Sequence, residues 1–407
     1  MKPRILIVNP FDPLPYEPER EGRYAYLART LAQRGHEVIW LTSAWNHRRK
    51  APRTPVIWHK DGLRVIAVRT PAYKDNLSWR RIMNHFVFGC RVRMLIPRLH
   101  CIAVAIISLP PLTPCLLLTA WLARRGIRTV LDIQDLWPEV QQNHLGPGGL
   151  LLAPLKWARS WALKKASLIC AVSEDYRQRL HVQKTGLICH LGIDAAQVKR
   201  YIMDVAPDQT DMLQAAFTGS ISYAYDLMTI LAAAELAQKE RLDIHFTIAG
   251  DGPLLPALRD CVAGKKLDNV TLTGYLPYEE ICRLLVRADM ALNAVKNNAM
   301  IYFPNKVFDY LAAGCFIVNS GQGEELSRIL AQAQAGVSYM DGDPASLLNA
   351  IAHYRERYFK ARAETKQRIM AVGMGYDREL EYLPLIQAIE RLMHENEMQS
   401  KKTSTGW

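Results

Sequence analysis

Within "YFPNKVFDYLAAG", residues 302–314, a proline, a lysine and an aspartate fall inside six positions, just before a turn marked by Gly314. Pro304 presets the first turn of a helix. Asn305 and Lys306 then stand where exposed backbone N–H groups already carry partial positive charge. Either Asp309, three residues on and on the same face, compensates the lysine, or an anion is expected there. Two further stretches, "FTGSISYAYDL" (217–227) and "IAGDGPLLPAL" (248–258), each read as strand, glycine turn and helix start. They place Gly219, Ser220, Gly250 and Gly252 where backbone groups can approach a phosphate or nucleotide. The loop "NPFDPLPYEPEREGRYAYLA" ends in Gly22 at another helix start, which serves as a plain cap or as a phosphate approach. It lacks GxGxxG, so the nicotinamide dinucleotide fingerprint is absent.

The N-terminal half offers other chemistry. "TSAWNHRRKAPR" (42–53) crowds His47, Arg48, Arg49, Lys50 and Arg53 into one loop, either a solvated turn or a set of forks for a diphosphate or anionic headgroup. "DIQDLWPE" (132–139) puts Asp132 and Asp135 at a strand end with Glu139 just beyond. Acids at the carboxyl end of a parallel strand stand where chemistry usually occurs, although Asp135 could equally cap the next segment. "GGLLLAPLKWARSWALKKASL" surrounds an apolar stripe with Lys156, Arg159, Lys164 and Lys165 and carries Trp157 and Trp161. It reads as a core-facing helix or as a membrane-surface element. "DGD" at 341–343 resembles a metal motif but reads as a turn, so no metal ligands are assigned.

These side chains need elements to position them. The chain has 407 residues, which suits two domains. "RILIVNP", "HEVIWLTS", "LRVIAV", "IAVAIIS", "TVLDIQD" and "SLICAVS" are apolar strands separated by helical patterns, which implies parallel pairing through right-handed crossovers. The pattern pauses at 190–211 and restarts with "MLQAAFTGS", "IHFTIAGDG", "NVTLTG", "DMALNAV" and "FIVNS". The expected class is α/β, with two doubly wound Rossmann-like domains facing a central cleft, the default site for a ligand. The expected boundaries are 1–192 for the first domain, 193–211 for a linker and 212–376 for the second domain. A helix over 377–397 packs back across the domains, and a frayed polar tail covers 398–407.

Hydrophobic residues make up 49% and charged residues 22%, which excludes disordered and fibrous classes. The eight cysteines are scattered without a CxxC pair and read as reduced core residues of a cytoplasmic protein. The opening "MKPRILIVNP" is a first strand, its apolar run too short for a signal peptide. Prolines 110, 111 and 114 break the longest apolar region into a strand, a turn and a helix. Charge is uneven: residues 1–200 hold 31 Lys+Arg against 13 Asp+Glu, a balance of +18, whereas residues 201–407 hold 20 against 26, a balance of −6. A basic first half suits an anionic membrane, a phosphorylated substrate or a nucleic acid. No groove-reading helix or zinc module accompanies it, which argues against nucleic acid.

Taken in order, "RGHEVIWLTS", "DIQDLWPE", "AVSEDYRQRL", "HLGID", "FTGSIS", "IAGDGP", "VTLTGYLPYEE", "RADMALNAV" and "PNKVFDYLAAGCFIV" resemble the family 4 glycosyltransferases of the GT-B fold. The resemblance covers nearly the whole chain. Within the family it is similar to the bacterial surface-polysaccharide branch, N-acetyl-fucosamine transferases included. It implies a C-terminal domain that binds a nucleotide sugar, expected to be UDP-linked, and an N-terminal domain that binds a lipid-linked or saccharide acceptor. Its base would rest on Tyr275 and Leu276 and its ribose on Asp309. Gly22, Gly219, Ser220, Gly250, Gly252, Pro304 and Asn305 would line the donor. Lys306 would act at the leaving diphosphate, with Asp135 as the second catalytic group. His47, Arg49, Arg53 and Glu139 would meet the acceptor. The resemblance implies a retaining, metal-independent transfer without a cofactor, by a peripheral protein on the inner membrane face. The family's Glu, seven residues, Glu pattern falls on Ile301 and Asp309, so its first acid is absent. The loop after Gly219 has no Arg or Lys, which shifts its burden to Lys306 and Arg23. A non-catalytic binding subunit and a nucleotide-sugar epimerase remain as alternatives on the same fold.

Overall fold

A computed structural model describes residues 2–75, 78–139, 152–181, 186–205 and 210–404, with the side chains of 397 and 399–404 excepted. Residues 148–151, 206–209 and 405–407, on which parts of the helix, linker and tail expectations fall, lie outside that set. The chain forms two compact units. The first runs to Cys189 and resumes at Tyr382; the second is His190–Glu381.

In the first unit the apolar runs become β1 (Arg4–Val8), β2 (Glu37–Ser43), a two-stranded antiparallel ribbon β3 (Trp45–Asn46) and β4 (Ala51–Pro52), β5 (Ile57–Lys60), β6 (Leu63–Val68), β7 (Ile102–Leu109), β8 (Arg128–Ile133), β9 (Leu168–Ala171) and β10 (Gly186–Ile188). One eight-stranded sheet takes the order β10-β9-β8-β7-β1-β2-β6-β5. Its pairs are parallel except for edge strand β5, which runs against β6. All eight residues of β7 are buried, as a central strand covered on both faces requires. Helix Arg23–Gln33 buries Tyr24, Leu27, Ala28 and Leu31. The last helix, Arg378–Ser404, contributes Tyr382, Leu385, Ile386, Ile389 and Met393 to this same core. That helix continues through Ser404, well past the boundary at 397 that its periodicity implies.

The second unit opens with helix Ala195–Ile202, which occupies the stretch expected to be a linker and is capped by Asp194. Strands β11 (Leu213–Thr218), β12 (Ile244–Ala249), β13 (Val270–Gly274), β14 (Met290–Asn293), β15 (Phe316–Asn319) and β16 (Gly336–Ser338) follow. They pair in parallel in the order β13-β12-β11-β14-β15-β16. The order reverses between β11 and β14, so the carboxyl ends of those two strands flank the position where doubly wound sheets hold ligands. Among the described residues, no helix is long and apolar enough to cross a membrane.

Candidate functional site

At that reversal lies Lys306, the first residue of helix Lys306–Ala312. It is 8% exposed, and its Nζ has no hydrogen-bond partner among the described residues. The ion pair with Asp309 is therefore not made; Asp309 Oδ1 instead accepts from Tyr278 Oη at 2.7 Å. What faces the ammonium is two rings: Nζ stands 3.7 Å from the Phe217 centroid and 3.5 Å from that of Tyr225. Ring faces attract a cation, whereas burial pushes the Lys306 pKa well below its ordinary value. A buried ammonium without an anion is costly, and a ligand phosphate is what would offset that cost. Tyr310, one turn on, fixes the strand beneath by accepting from Thr218 N at 3.0 Å and donating to Thr218 O at 3.2 Å.

Three loops meet at this edge. Gly219 N donates to Ala249 O, Ile221 N to Asp251 O and Gly250 N to Gly274 O. A Cβ on Gly250 would stand 1.8 Å from Gly219 O, and one on Gly252 would stand 2.3 Å from Ile221 O. These glycines thus permit close approach between loops, and the Gly219 and Gly250 amides expected to cradle a phosphate are spent on neighbouring carbonyls. Gly252 N is likewise taken, by its neighbour Asp251 Oδ1 at 2.8 Å. Gly219 and Ser220 are exposed, and a Cβ on Gly219 would lie 3.8 Å from Lys306 Nζ, so this turn borders the lysine. Tyr275, 77% exposed, and half-buried Leu276 follow Gly274 on the same edge. Pro304 is buried and Asn305 exposed beside Lys306. The "DGD" carboxylates are turn and cap groups: Asp341 accepts from Asn297 N, and Asp343 from Ala345 N and Ser346 N.

In the first unit, several expected ligands turn out to be structural. Gly22 does open a helix, but a Cβ there would stand 2.6 Å from Asp12 Oδ2, and that carboxylate accepts from Tyr24 N at 3.0 Å. The anion at this helix start is the protein's own. Arg23 is 3% exposed; its Nε and Nη2 donate to the two Asp132 oxygens at 2.8 and 2.9 Å, and its Nη1 donates to Cys189 O. It cannot carry the diphosphate burden without leaving Asp132 buried and unpaired. Arg53 holds the first loop through Glu17 Oε1, Pro10 O, Thr42 Oγ1 and Asp12 O. Glu139 pairs with Arg159, and Arg49 with Glu19.

What remains at the carboxyl edge is an aromatic and cationic cluster. His47 Nδ1 lies 2.7 Å from Tyr73 Oη, and burial together with Arg81 pushes its pKa down to about 3. Phe11 packs against His47 and His85 at 5.3 and 5.4 Å, and Arg81 lies over Phe11 and Trp137. Burial raises Asp135 to about 6, against the opposing pull of Arg81. His85 is 3% exposed and its Nε2 has no partner among the described residues. Sequence reasoning missed Arg81 and His85; their spacing of four on one helix is the signal that could have found them.

Two doubly wound units, the second with the buried Lys306 at its switch point, define a two-domain Rossmann-like architecture. Comparison with known proteins makes this specific. Residues 22–185 match the glycosyl transferase 4-like domain, and residues 214–356 match the glycosyl transferases group 1. One match falls in each unit and together they take in well over half of the chain, which belongs to the family 4 glycosyltransferases of the GT-B fold. Alpha-D-kanosaminyltransferase of Streptomyces kanamyceticus is 26% identical over 155 residues, which are 34% of this chain and 39% of that enzyme. Sucrose-phosphate synthase from Thermosynechococcus elongatus superposes with a TM-score of 0.72 at 14% identity, covering 97% of this chain and 100% of that one. Anabaena HepE in complex with UDP gives 0.67 at 12% identity, covering 95% and 100%.

Proposed function

We propose that the protein transfers a sugar, with retention and without a metal, from a uridine diphosphate donor to a lipid-linked or saccharide acceptor in cell-surface polysaccharide synthesis. The observation that carries this reading is Lys306, buried at the switch point, held under two rings and without a hydrogen-bond partner among the described residues. Breaking the anomeric C–O bond leaves new negative charge on the departing phosphate. A fixed ammonium at that place favours the transition state over the ground state. Gly219 borders it, Ser220, Tyr275 and Leu276 lie on the same strand-end edge, and Asp309, oriented by Tyr278, is the group for the ribose. The cluster of His47, Arg81, His85 and Asp135 on the first unit is the acceptor site in this reading. That the structural neighbour HepE holds UDP supports the choice of nucleotide. Helix Ala153–Lys165, with Trp157 exposed, is one candidate for peripheral attachment to the inner membrane face.

Lys306→Ala tests the reading. Transfer should fall at least about a hundredfold, the scale of one lost charge stabiliser, while the melting temperature holds or rises because an uncompensated buried ammonium is gone. Unchanged turnover would sink the role of the lysine. Screening sugar nucleotides for thermal stabilisation separates transfer from mere binding, and product formed without any acceptor would identify an epimerase.

A further inference from the structure

Helix Trp79–Leu95 in the first unit has two faces of different kinds. Asn84, His85, Phe88, Gly89 and Val92 are buried. Asn84 Nδ2 donates to Thr70 Oγ1 and Pro71 O, and a Cβ on Gly89 would approach Leu117 Cδ1 at 3.0 Å and Pro114 Cα at 3.2 Å. The helix is thereby locked against the neighbouring helix Leu112–Ala123 and cannot roll to hide its other side. On that other side Trp79, Ile82, Met83 and Phe86 recur at i, i+3, i+4 and i+7, and they are 67, 66, 40 and 49% exposed. A stripe of this size on a helix surface normally has a partner.

Charge identifies the partner. Between Asp75 and Asp132 the chain holds eight arginines and neither an aspartate nor a glutamate. Arg80, Arg91, Arg93 and Arg98 are exposed along the helix and just after it. Near its end a shallow groove of about 270 Å³ is lined by Arg69, Arg91, Met94 and Arg98. An apolar stripe flanked by guanidinium groups, on a helix that itself carries no acid, matches the boundary between acyl chains and anionic headgroups. A second copy of this chain would bring equally basic surface against it and repel it.

We propose that helix Trp79–Leu95 docks the first unit on an anionic bilayer, with Trp79, Ile82, Met83 and Phe86 entering the acyl boundary and the arginines meeting lipid phosphates. The proposal rests on the peripheral-membrane part of the reading above and assigns a different docking element to it; because vesicle binding requires neither donor nor turnover, its failure is distinguishable from failure of the transferase assignment. It is tested by flotation with phosphatidylcholine vesicles, with and without phosphatidylglycerol, at low and high salt. Wild type should float with the anionic vesicles and dissociate as salt rises. Trp79→Ser/Ile82→Ser/Phe86→Ser should lose about tenfold in binding with an unchanged melting temperature, and Arg80→Glu/Arg93→Glu should lose a similar factor. Should the triple variant fold poorly, quenching by brominated lipid supplies the answer: Trp79→Phe should remove a measurable share of it. Wild-type binding by the triple variant, abolition only by Trp157→Ser/Trp161→Ser, or a dimer that the triple variant splits would each overturn the proposal.

Discussion

A buried lysine can be a nucleophile, a base or a fixed cation, and its surroundings decide which. Around Lys306 burial favours the neutral amine, while the faces of Phe217 and Tyr225, each within 4 Å of Nζ, favour the ammonium. A diphosphate added to that balance tips it toward charge. The ring of Tyr225, rather than its hydroxyl, is what faces the cation, and this separates two substitutions. Tyr225→Phe should keep donor affinity, whereas Tyr225→Leu should weaken it about tenfold, the order of a desolvated cation–π contact, and should shift the pH profile of UDP binding toward lower pH. Calorimetric titration with UDP across pH reads both; equal behaviour of the two variants would remove the ring from the account. The lysine itself was legible in "PNKVFDYLAAG", because a cation in a first turn conflicts with the helix field and so invites explanation. Its rings were not, since Phe217 and Tyr225 stand 89 and 81 residues away. The same blindness made Arg23 and Arg53 look like phosphate ligands. A guanidinium that reaches Asp132 across 109 positions is indistinguishable, on paper, from one that reaches solvent.

Elements were easier to read than their side-chain partners, because the period of apolar residues reports burial directly. The alternation of buried strands and helices announced two doubly wound sheets; the chain divides into its two units between Cys189 and His190. The strand order could not be read, and the antiparallel edge strand β5 was not. The order depends on pairings between distant segments that leave no local trace, whereas β5 is joined to β6 by the two-residue turn Asp61–Gly62, a local hairpin signal that was overlooked. The glycine turns were legible as turns, whereas their packing role, which lets the loops after β11 and β12 approach one another, was not. Gly250→Ala tests that role at the level of the loop pair. A Cβ 1.8 Å from Gly219 O, on a residue with a φ of 152°, cannot be accommodated in place. The loops must separate, and the second unit should lose about 3 kcal/mol or more, read as a lower urea midpoint at unchanged slope. A purely ligand-binding role for Gly250 would instead leave the midpoint where it is and reduce only donor affinity.

On the scale of the whole chain, the second unit begins at His190 and ends at Glu381, and these two residues hold each other. His190 N and Nδ1 lie 3.2 and 2.8 Å from Glu381 Oε2, and Nε2 lies 3.0 Å from Glu325 Oε1. Phe303, Phe308 and Tyr376 enclose the ring. Burial alone would lower the pKa of this histidine, but hydrogen bonds to two carboxylates outweigh it and raise the value to about 9. Both ring nitrogens then donate, and the imidazolium closes the point where the chain enters and leaves the unit. The unfolded histidine titrates near 6.5. The folded form therefore binds the extra proton, and its contribution is fully present below pH 6.5 and lost as pH rises toward 9. The span corresponds to roughly 3 kcal/mol. Denaturant midpoints for the second unit should accordingly fall between pH 6.5 and 9, a window in which Tyr376, pushed up to about 12 by burial, is still neutral. His190→Gln can hydrogen-bond one carboxylate but carries no proton to lose, so it should be less stable at pH 6 and nearly flat across the same window. A wild-type profile as flat as that of the variant would show that the pair of carboxylates does not hold a charged histidine, and that packing against the three rings alone joins the two ends of the unit.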